Sequence, residues 1–257
     1  MLEIKVDTSR LEAAMLDFCN ASRKGMESVI KKTGGTMVGQ LIGVTPPGNQ
    51  KTLSGENGGI TLQAKKMGEA NVSSDIKKLF PTTKKKDSDV FGMIDAGYKW
   101  RAQNERRYQV AEFAQSVADL KRIHKSAKNP KTGRTRIHGG QNMAVTRSQI
   151  RSAYIKSEVK KVGMLAAGWL NAASELNTPS RYIPGWIKRH GAGRGGVEMR
   201  KNSGSYSLRI YNNNPWIGIG WEARLKYVVS RGTAALKVAT EKELDKRAKA
   251  AEQRMGR

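Results

Sequence analysis

The sequence predicts an α+β protein: a long N-terminal amphipathic helix and further helices packed on a small antiparallel sheet, with extended basic loops or arms. Three observations predict it. Apolar residues recur at spacings of three and four over most of residues 9–43, 146–176 and 222–244. Strand-like alternation is confined to short stretches, at Leu2–Val6 and Ser205–Asn212. Lys/Arg-rich segments poor in apolar residues lie between these elements.

Leu2, Ile4 and Val6 alternate with Glu3, Lys5 and Asp7, the period of a half-buried strand. Thr8 or Ser9 can then cap a helix by accepting from its orphan N–H groups. From there Leu11, Met15, Phe18, Met26, Val29, Thr33, Met37 and Leu41 mark one face of a helix about 50 Å long. Gly43 and the Pro46-Pro47 pair end it, because proline lacks the N–H and biases the preceding residue away from helix. Gly34-Gly35 within the pattern predicts a kink or close packing against a neighbouring subunit. Cys19 lies beside Phe18 and reads as a small core residue.

Residues 44–75, rich in Gly, Thr, Ser and Asn, read as loop with one short strand around Ile60-Thr61-Leu62. Residues 77–89 form a lysine-rich spacer around Pro81. A helix is predicted from Glu105 to Lys125, with Val110, Phe113, Ala114, Val117 and Leu120 on one side. Residues 126–142 follow as a basic loop suited to an arm ordered by a partner. A further helix, capped by Thr146 or Ser148, carries Ile150, Tyr154, Val162, Leu165, Trp169, Ala173 and Leu176 to Asn177-Thr178-Pro179. Ser205–Asn212 alternates as a strand, and Asn213-Asn214-Pro215 is expected to turn into a second strand at Trp216–Gly220. A terminal helix runs from about Glu222, and its polar last turns, from Glu241 to Arg257, are expected to leave the body of the fold. The expected organisation is a core domain from residues 1–48 and 146–240, a basic insertion over 49–145 and a polar helical extension over 241–257.

Charge is the outlying quantity of the composition. The chain has 47 Lys+Arg against 22 Asp+Glu, a formal net charge of +25, which points to polyanions or acidic protein surfaces as partners. Residues 1–60 carry 7 basic and 6 acidic groups, residues 61–160 carry 22 and 9, and residues 161–257 carry 18 and 7. The N-terminal helix is therefore separate from the basic surface. Lys84, Lys85, Lys86, Lys131, Arg134 and Arg136 are the candidate DNA- or partner-facing side chains. Trp100 and Trp186, each interleaved with Lys or Arg, are candidate interface aromatics, while Trp169 and Trp216 read as core. A single cysteine excludes an intrachain disulfide and a cysteine-based metal site, and suits a reducing cytoplasm. No secretory leader or membrane span is expected.

No catalytic constellation is legible, so no enzyme activity, cofactor or metal is expected. His124, His138 and His190 sit in unrelated basic segments without a nearby carboxylate to orient an imidazole. Gly191-Ala192-Gly193-Arg194-Gly195-Gly196 satisfies G-x-G-x-x-G, yet it follows Pro184-Gly185 and precedes a polar stretch, where a dinucleotide site needs a strand before and a helix after. Asp87/Asp89 and Glu241/Glu243 read as solvated surface pairs.

Ile4-Lys5-Val6-Asp7, the long helix and Val44-Thr45-Pro46-Pro47-Gly48 resemble the opening module of the neck and tail-completion proteins of tailed bacteriophages. Gly168-Trp169-Leu170-Asn171-Ala172-Ala173 and Ile210-Tyr211-Asn212-Asn213-Asn214-Pro215-Trp216 are similar to the helix and the N-N-x-P hairpin of virion morphogenesis proteins. The resemblance covers residues 1–48 and 146–240, and residues 50–145 have no counterpart in that shorter pattern. It implies a structural virion protein at the head–tail junction, made in the host cytoplasm and assembled as a six- or twelve-fold ring of itself. The implied partners are portal, connector, tail-tube or terminator proteins and the genomic DNA in the channel. The alternatives are a sequence-independent DNA- or RNA-binding protein, a minor tail protein elsewhere in the tail, and a nuclease with an unrecognised site.

Overall fold

The computed structural model describes residues 9–48, 60–101, 107–128, 144–191, 194–202, 205–214 and 222–255. Helix α1 (Ser9–Val44) runs for 36 residues, and Gly34-Gly35 does not interrupt it. The strand expected at Leu2–Val6, the cap at Thr8 and the side chains of Leu11, Met15 and Phe18 lie outside the described residues and side chains. Cys19 is exposed instead of buried. The Tyr206 hydroxyl donates to the Arg23 carbonyl at 3.3 Å, and position 19 lies beyond this contact, one helical turn closer to the N-terminus.

The loop and the short strand at Ile60-Thr61-Leu62 are replaced from residue 62 by helix α2 (Leu62–Leu79), capped by Thr61, whose Oγ1 accepts from the Ala64 N–H at 3.1 Å. Its Gly, Ser and Asn content hides an apolar spacing, Ala64, Gly68, Val72, Ile76 and Leu79, that packing selects over composition. Lys77 and Lys78 sit in its last turn, where cations favour the helix dipole. The lysine-rich spacer is thus divided between α2, a turn and helix α3 (Asp87–Asp95).

The helix expected over 105–125 is shorter and preceded by strands. β1 (Lys99–Arg101) and β2 (Arg107–Gln109) pair antiparallel, and β3 (Glu112–Ala114) leads into α4 (Val117–Ser126). A capping box sets the start of α4. The Ser116 side chain accepts from the Asp119 N–H at 3.1 Å, and the Asp119 carboxylate accepts from the Ser116 N–H at 3.0 Å. β4 (Ala144–Thr146) then pairs parallel to β3, an element without a counterpart in the sequence expectation.

The predicted 146–176 helix is three helices: α5 (Ser148–Val159), α6 (Met164–Ala167) and α7 (Leu170–Glu175). Gly163 breaks it, with φ of 96° in the left-handed region that a side chain disfavours. Thr146 does not cap α5, because its Oγ1 donates to the Ala114 carbonyl at 2.7 Å in the parallel pair. A 3-10 turn (Ser180–Tyr182) and α8 (Gly185–Lys188) follow. The hairpin pairs β5 (Gly195–Asn202) with β6 (Ser205–Asn212), from Gly195 opposite Asn212 to Asn202 opposite Ser205. The partner of Ser205–Asn212 thus precedes it in the chain instead of following Asn213-Asn214-Pro215, and residues 215–221 lie outside the described residues. The last helix, α9 (Glu222–Met255), is antiparallel to α1, since Gly232 abuts Met37 and Gly25 abuts Glu243. The polar turns from Glu241 therefore stay on α1 as far as Glu243, instead of leaving the body there.

The α+β expectation holds, with long α1 and α9 packed on each other and the small antiparallel hairpin β5–β6 packed on α1. The first core cluster joins Val38, Leu41, Ile42 and Val44 of α1 to Trp169, Ala173, Leu176 and Val228, with Leu208 and Ile210 of the hairpin packed on it. Three glycines of α1 admit this layer. A methyl group on Gly35 would sit 2.7 Å from the Leu176 carbonyl oxygen, and Gly34 and Gly39 are closed over by Leu208 and Tyr182. The kink expected at Gly34-Gly35 is absent, and the close neighbours there are Leu176 and Leu208 of the same chain instead of a neighbouring subunit. The predicted insertion builds a second cluster, Ile76, Leu79, Phe80, Leu120 and Ile123, and a third, Val90, Trp100, Val110, Phe113 and Val145. The second extends past residue 145 through Tyr154 of α5.

At the end of α1, Thr45 is fully buried. Its Oγ1 donates to the Leu41 carbonyl at 2.6 Å and accepts from Trp169 Nε1 at 2.9 Å. Trp169→Phe keeps most of the ring and removes this bond, so a loss of about 2 kcal/mol is expected in urea unfolding. A wild-type midpoint would show that the bond contributes nothing.

Candidate interaction surfaces

Lys84, Lys85 and Lys86 are exposed and follow directly on Thr82-Thr83. Thr82 bridges Thr146 in parallel, with the Thr83 N–H on the Thr146 carbonyl and the Thr146 N–H on the Pro81 carbonyl, both at 3.0 Å. Arg147 holds the turn from behind. Its Nη1 donates to the carbonyls of Lys85 at 2.5 Å and Thr83 at 3.3 Å, and its Nη2 pairs with Asp87. The same guanidinium lies 5.1 Å from the centroid of the Phe113 ring. The lysine triplet therefore stands on anchored backbone.

Lys131, Arg134 and Arg136 lie outside the described residues. The segment containing them returns to the sheet at Ala144, opposite Glu112, whereas Lys84 follows Thr82-Thr83 beside Thr146. The two halves of the candidate basic set thus attach at opposite ends of three-residue strands, about 7 Å apart along the sheet.

Of the two candidate interface aromatics, neither stands freely at the surface. Trp100 is 6% exposed, because Val90, Val110, Phe113 and Val145 enclose it, and Tyr98 meets it edge-on at 5.5 Å. Trp186 is half-buried with its ring against Gly163. The exposed aromatics near Trp100 are Phe91 and Tyr98, which carry no basic neighbour in sequence except Lys99. Trp169 is in the core as expected, and Trp216 lies outside the described residues.

The histidines have separate structural surroundings. His124 is buried in the second cluster, with Nδ1 at 2.6 Å from the Tyr154 hydroxyl and Phe80 edge-on to both rings. Burial pushes the His124 imidazole down to about 4, with Lys128 adding to the effect, and burial raises the Tyr154 phenol. His190 Nε2 lies 2.9 Å from the Val162 carbonyl, and His138 lies outside the described residues. The glycine motif ends by entering strand β5 at Gly195 instead of opening a helix. Among the described residues no three His, Cys, Asp or Glu side chains gather as a metal site, and no helix is long and apolar enough to cross a membrane.

Sequence reasoning missed an apolar groove of about 600 Å³ between α1, β6 and α9. Ile30, Met37, Leu208, Leu225, Val229 and Leu236 form its walls, and Arg209 stands at its edge. The signal is present as three separate periodicities, each of which reads alone as a buried face, and only tertiary packing decides whether the faces meet. Lys201 ties the hairpin to α1 through Glu27 at 2.6 Å. Its hydrogen bond, followed by that of Lys31, holds the Glu27 carboxyl down near 2.

No protein-family model, curated protein or solved structure matches the chain. The functional reading therefore rests on the surfaces themselves and on the sequence pattern.

Proposed function

We propose that this chain is a structural virion protein of a tailed phage, forming a ring at the head–tail junction that joins head to tail and lets DNA pass. The observation that supports it best is the separation of packing from charge. The core half of α1 is occupied by the hairpin, α7 and α9, and residues 1–60 are nearly neutral. The surplus of Lys and Arg falls on the rest of the chain, including the anchored Lys84–Lys86 turn. A subunit of this kind offers neutral surface to its copies and basic surface to phosphate, which it neutralises without reading sequence. In this reading the subunit catalyses nothing.

Two observations test the proposal. Labelled protein in purified particles should map to the head–tail joint, and the isolated chain should form rings with rising concentration in electron micrographs. Tight stoichiometric binding to duplex DNA at about 150 mM salt, without rings, would instead support a sequence-independent DNA-binding protein. Metal-dependent strand cleavage that survives repurification would overturn both.

The basic turn has its own test. Replacing Lys84, Lys85 and Lys86 together by serine should leave the unfolding midpoint unchanged, because all three are exposed. The slope of log affinity for duplex DNA against log salt should shrink by up to about 2–3. An unchanged slope would remove these lysines from the DNA-facing set.

A further inference from the structure

We infer that a second cleft between α1 and α9, of about 530 Å³, seats the phosphate backbone of duplex DNA. Met37 and Gly232, which touch where the two helices meet, line both this cleft and the apolar groove. Beyond them the two depressions differ in chemistry. Arg209 is the one charged residue that lines the groove. The cleft is lined by Lys32 of α1 and by Arg231, Lys242 and Lys246 of α9, against a single carboxylate, Glu243.

That carboxylate is already engaged, because Glu243 accepts from Arg247 Nε at 2.7 Å. The four lining cations make no ion pair among the described residues. Arg231 rests on Tyr227 instead. Its Nη1 donates to the phenol oxygen at 3.0 Å, and the guanidinium lies 5.6 Å from the ring centroid. Neutral partners therefore fix its position and leave its charge available. The exposed carboxylates of Glu241 and Asp245 lie about 140° and 100° round α9 from Lys246, turned from the cleft. The nearly neutral α1 thus contributes Lys32 to a basic trough, whereas Lys31 beside it is paired with Glu27 at 2.8 Å.

The spacing suits a partner with evenly repeated charge. From Arg231 to Lys246 the α9 bank runs about 22 Å, and Lys32 stands on a helix whose axis is about 8–10 Å away. One strand of duplex DNA carries a phosphate for about every 3.4 Å of axis, so several fall within this length. The floor is apolar, with Val29, Ala235 and Ala239, and a phosphate buried on it would lose its water without compensation. Long Lys and Arg stems lift their charges to the rim, where phosphates stay hydrated and are neutralised without sequence reading. The preference for an anion rests on these charges alone; DNA as the occupant rests on the head–tail proposal.

The test measures duplex DNA affinity of the full-length chain between 50 and 200 mM salt. Lys242→Gln with Lys246→Gln should reduce the slope of log affinity against log salt by about 2, and Lys32→Gln by about 1. The controls remove equal charge elsewhere. Lys226 and Lys237 are exposed on the side of α9 away from Lys246, so their paired change to Gln should leave the slope within about 0.5 of wild type, as should Lys31→Gln. All these lysines are exposed, and unchanged urea midpoints should show that each variant folds. A wild-type slope in the cleft pair would overturn the inference and leave the cleft to an acidic protein surface. An equal loss in the control pair would overturn it too, because net charge would then suffice. Particles that hold the protein at the head–tail joint while the cleft pair keeps its slope would reject the cleft alone. A protein absent from particles whose cleft pair loses slope would reject the head–tail proposal alone.

Discussion

Replacing Gly35 with alanine is expected to destabilise the protein by about 3 kcal/mol, the upper range for overpacking. The added methyl group would lie 2.7 Å from the carbonyl oxygen of Leu176, a backbone atom that cannot rotate away. The Gly35 carbonyl also accepts from Thr178 Oγ1 at 3.0 Å, so any retreat of the Leu176–Thr178 segment strains that bond as well. Gly92→Ala supplies the opposite control. Gly92 lies inside α3 with nothing within 4 Å of the added carbon, and the substitution should stabilise by about 0.5–1 kcal/mol through backbone entropy. Urea midpoints of the two variants should therefore move in opposite directions. Equal shifts would mean that α1 and the Leu176 turn are not in the contact described.

Acid should weaken the fold between pH 6.5 and 4 through His124. The native imidazole is held near 4, against an ordinary value of 6.5, so in this window the unfolded chain takes up a proton that the folded chain refuses. The stability associated with the neutral imidazole is complete above pH 6.5 and is lost as pH falls towards 4. Between pH 7 and 5 the loss should be about 2 kcal/mol. Glu27 acts lower: its carboxyl is held near 2 against an ordinary value of 4.5, so its contribution is present above 4.5 and lost as pH falls towards 2. His124→Gln keeps a neutral hydrogen-bonding side chain beside Tyr154 and removes the titration. Its urea midpoint should be nearly flat from pH 7 to 5, and a wild-type slope would place the acid sensitivity elsewhere.

The longest elements were the most legible in the sequence, for a physical reason. α1 and α9 each present many turns of one periodicity, so a few exceptions such as Gly34-Gly35 do not erase the pattern. Strand Ser205–Asn212 was legible from its alternation, but its partner was not. Gly195–Asn202 opens with two glycines and offers only Val197 and Met199 as apolar markers, since Lys201 serves by reaching Glu27. The short elements failed where tertiary pairing overrode local preference. Phe113 and Ala114 fit a helical stripe, yet the pairing of Phe113 with Val145 and of Ala114 with Thr146 draws them into a parallel strand. Gly163 was visible throughout, but a single glycine does not announce a left-handed conformation until the Trp186 ring is placed against it. For the candidate surfaces, residue types located Lys84–Lys86 on the exterior. They did not distinguish an interface tryptophan from a buried one, because Trp100 has Lys and Arg beside it in sequence and Val90 and Val145 beside it in space.

The clamp by Arg147 bears on the thermodynamics of any encounter with a polyanion. Ordering the backbone of a flexible residue costs about 1–2 kcal/mol, and a basic arm incurs that cost for each residue it fixes on a phosphate chain. The Lys84–Lys86 backbone is already tied at Thr83, Lys85 and Asp87, so only the lysine side chains remain to be ordered. Arg147 thereby acts on the entropy of association while its own charge faces Asp87. The three backbone positions thus keep a constant spacing, and the flexible lysine stems alone adapt the ammonium groups to the pitch of the phosphates.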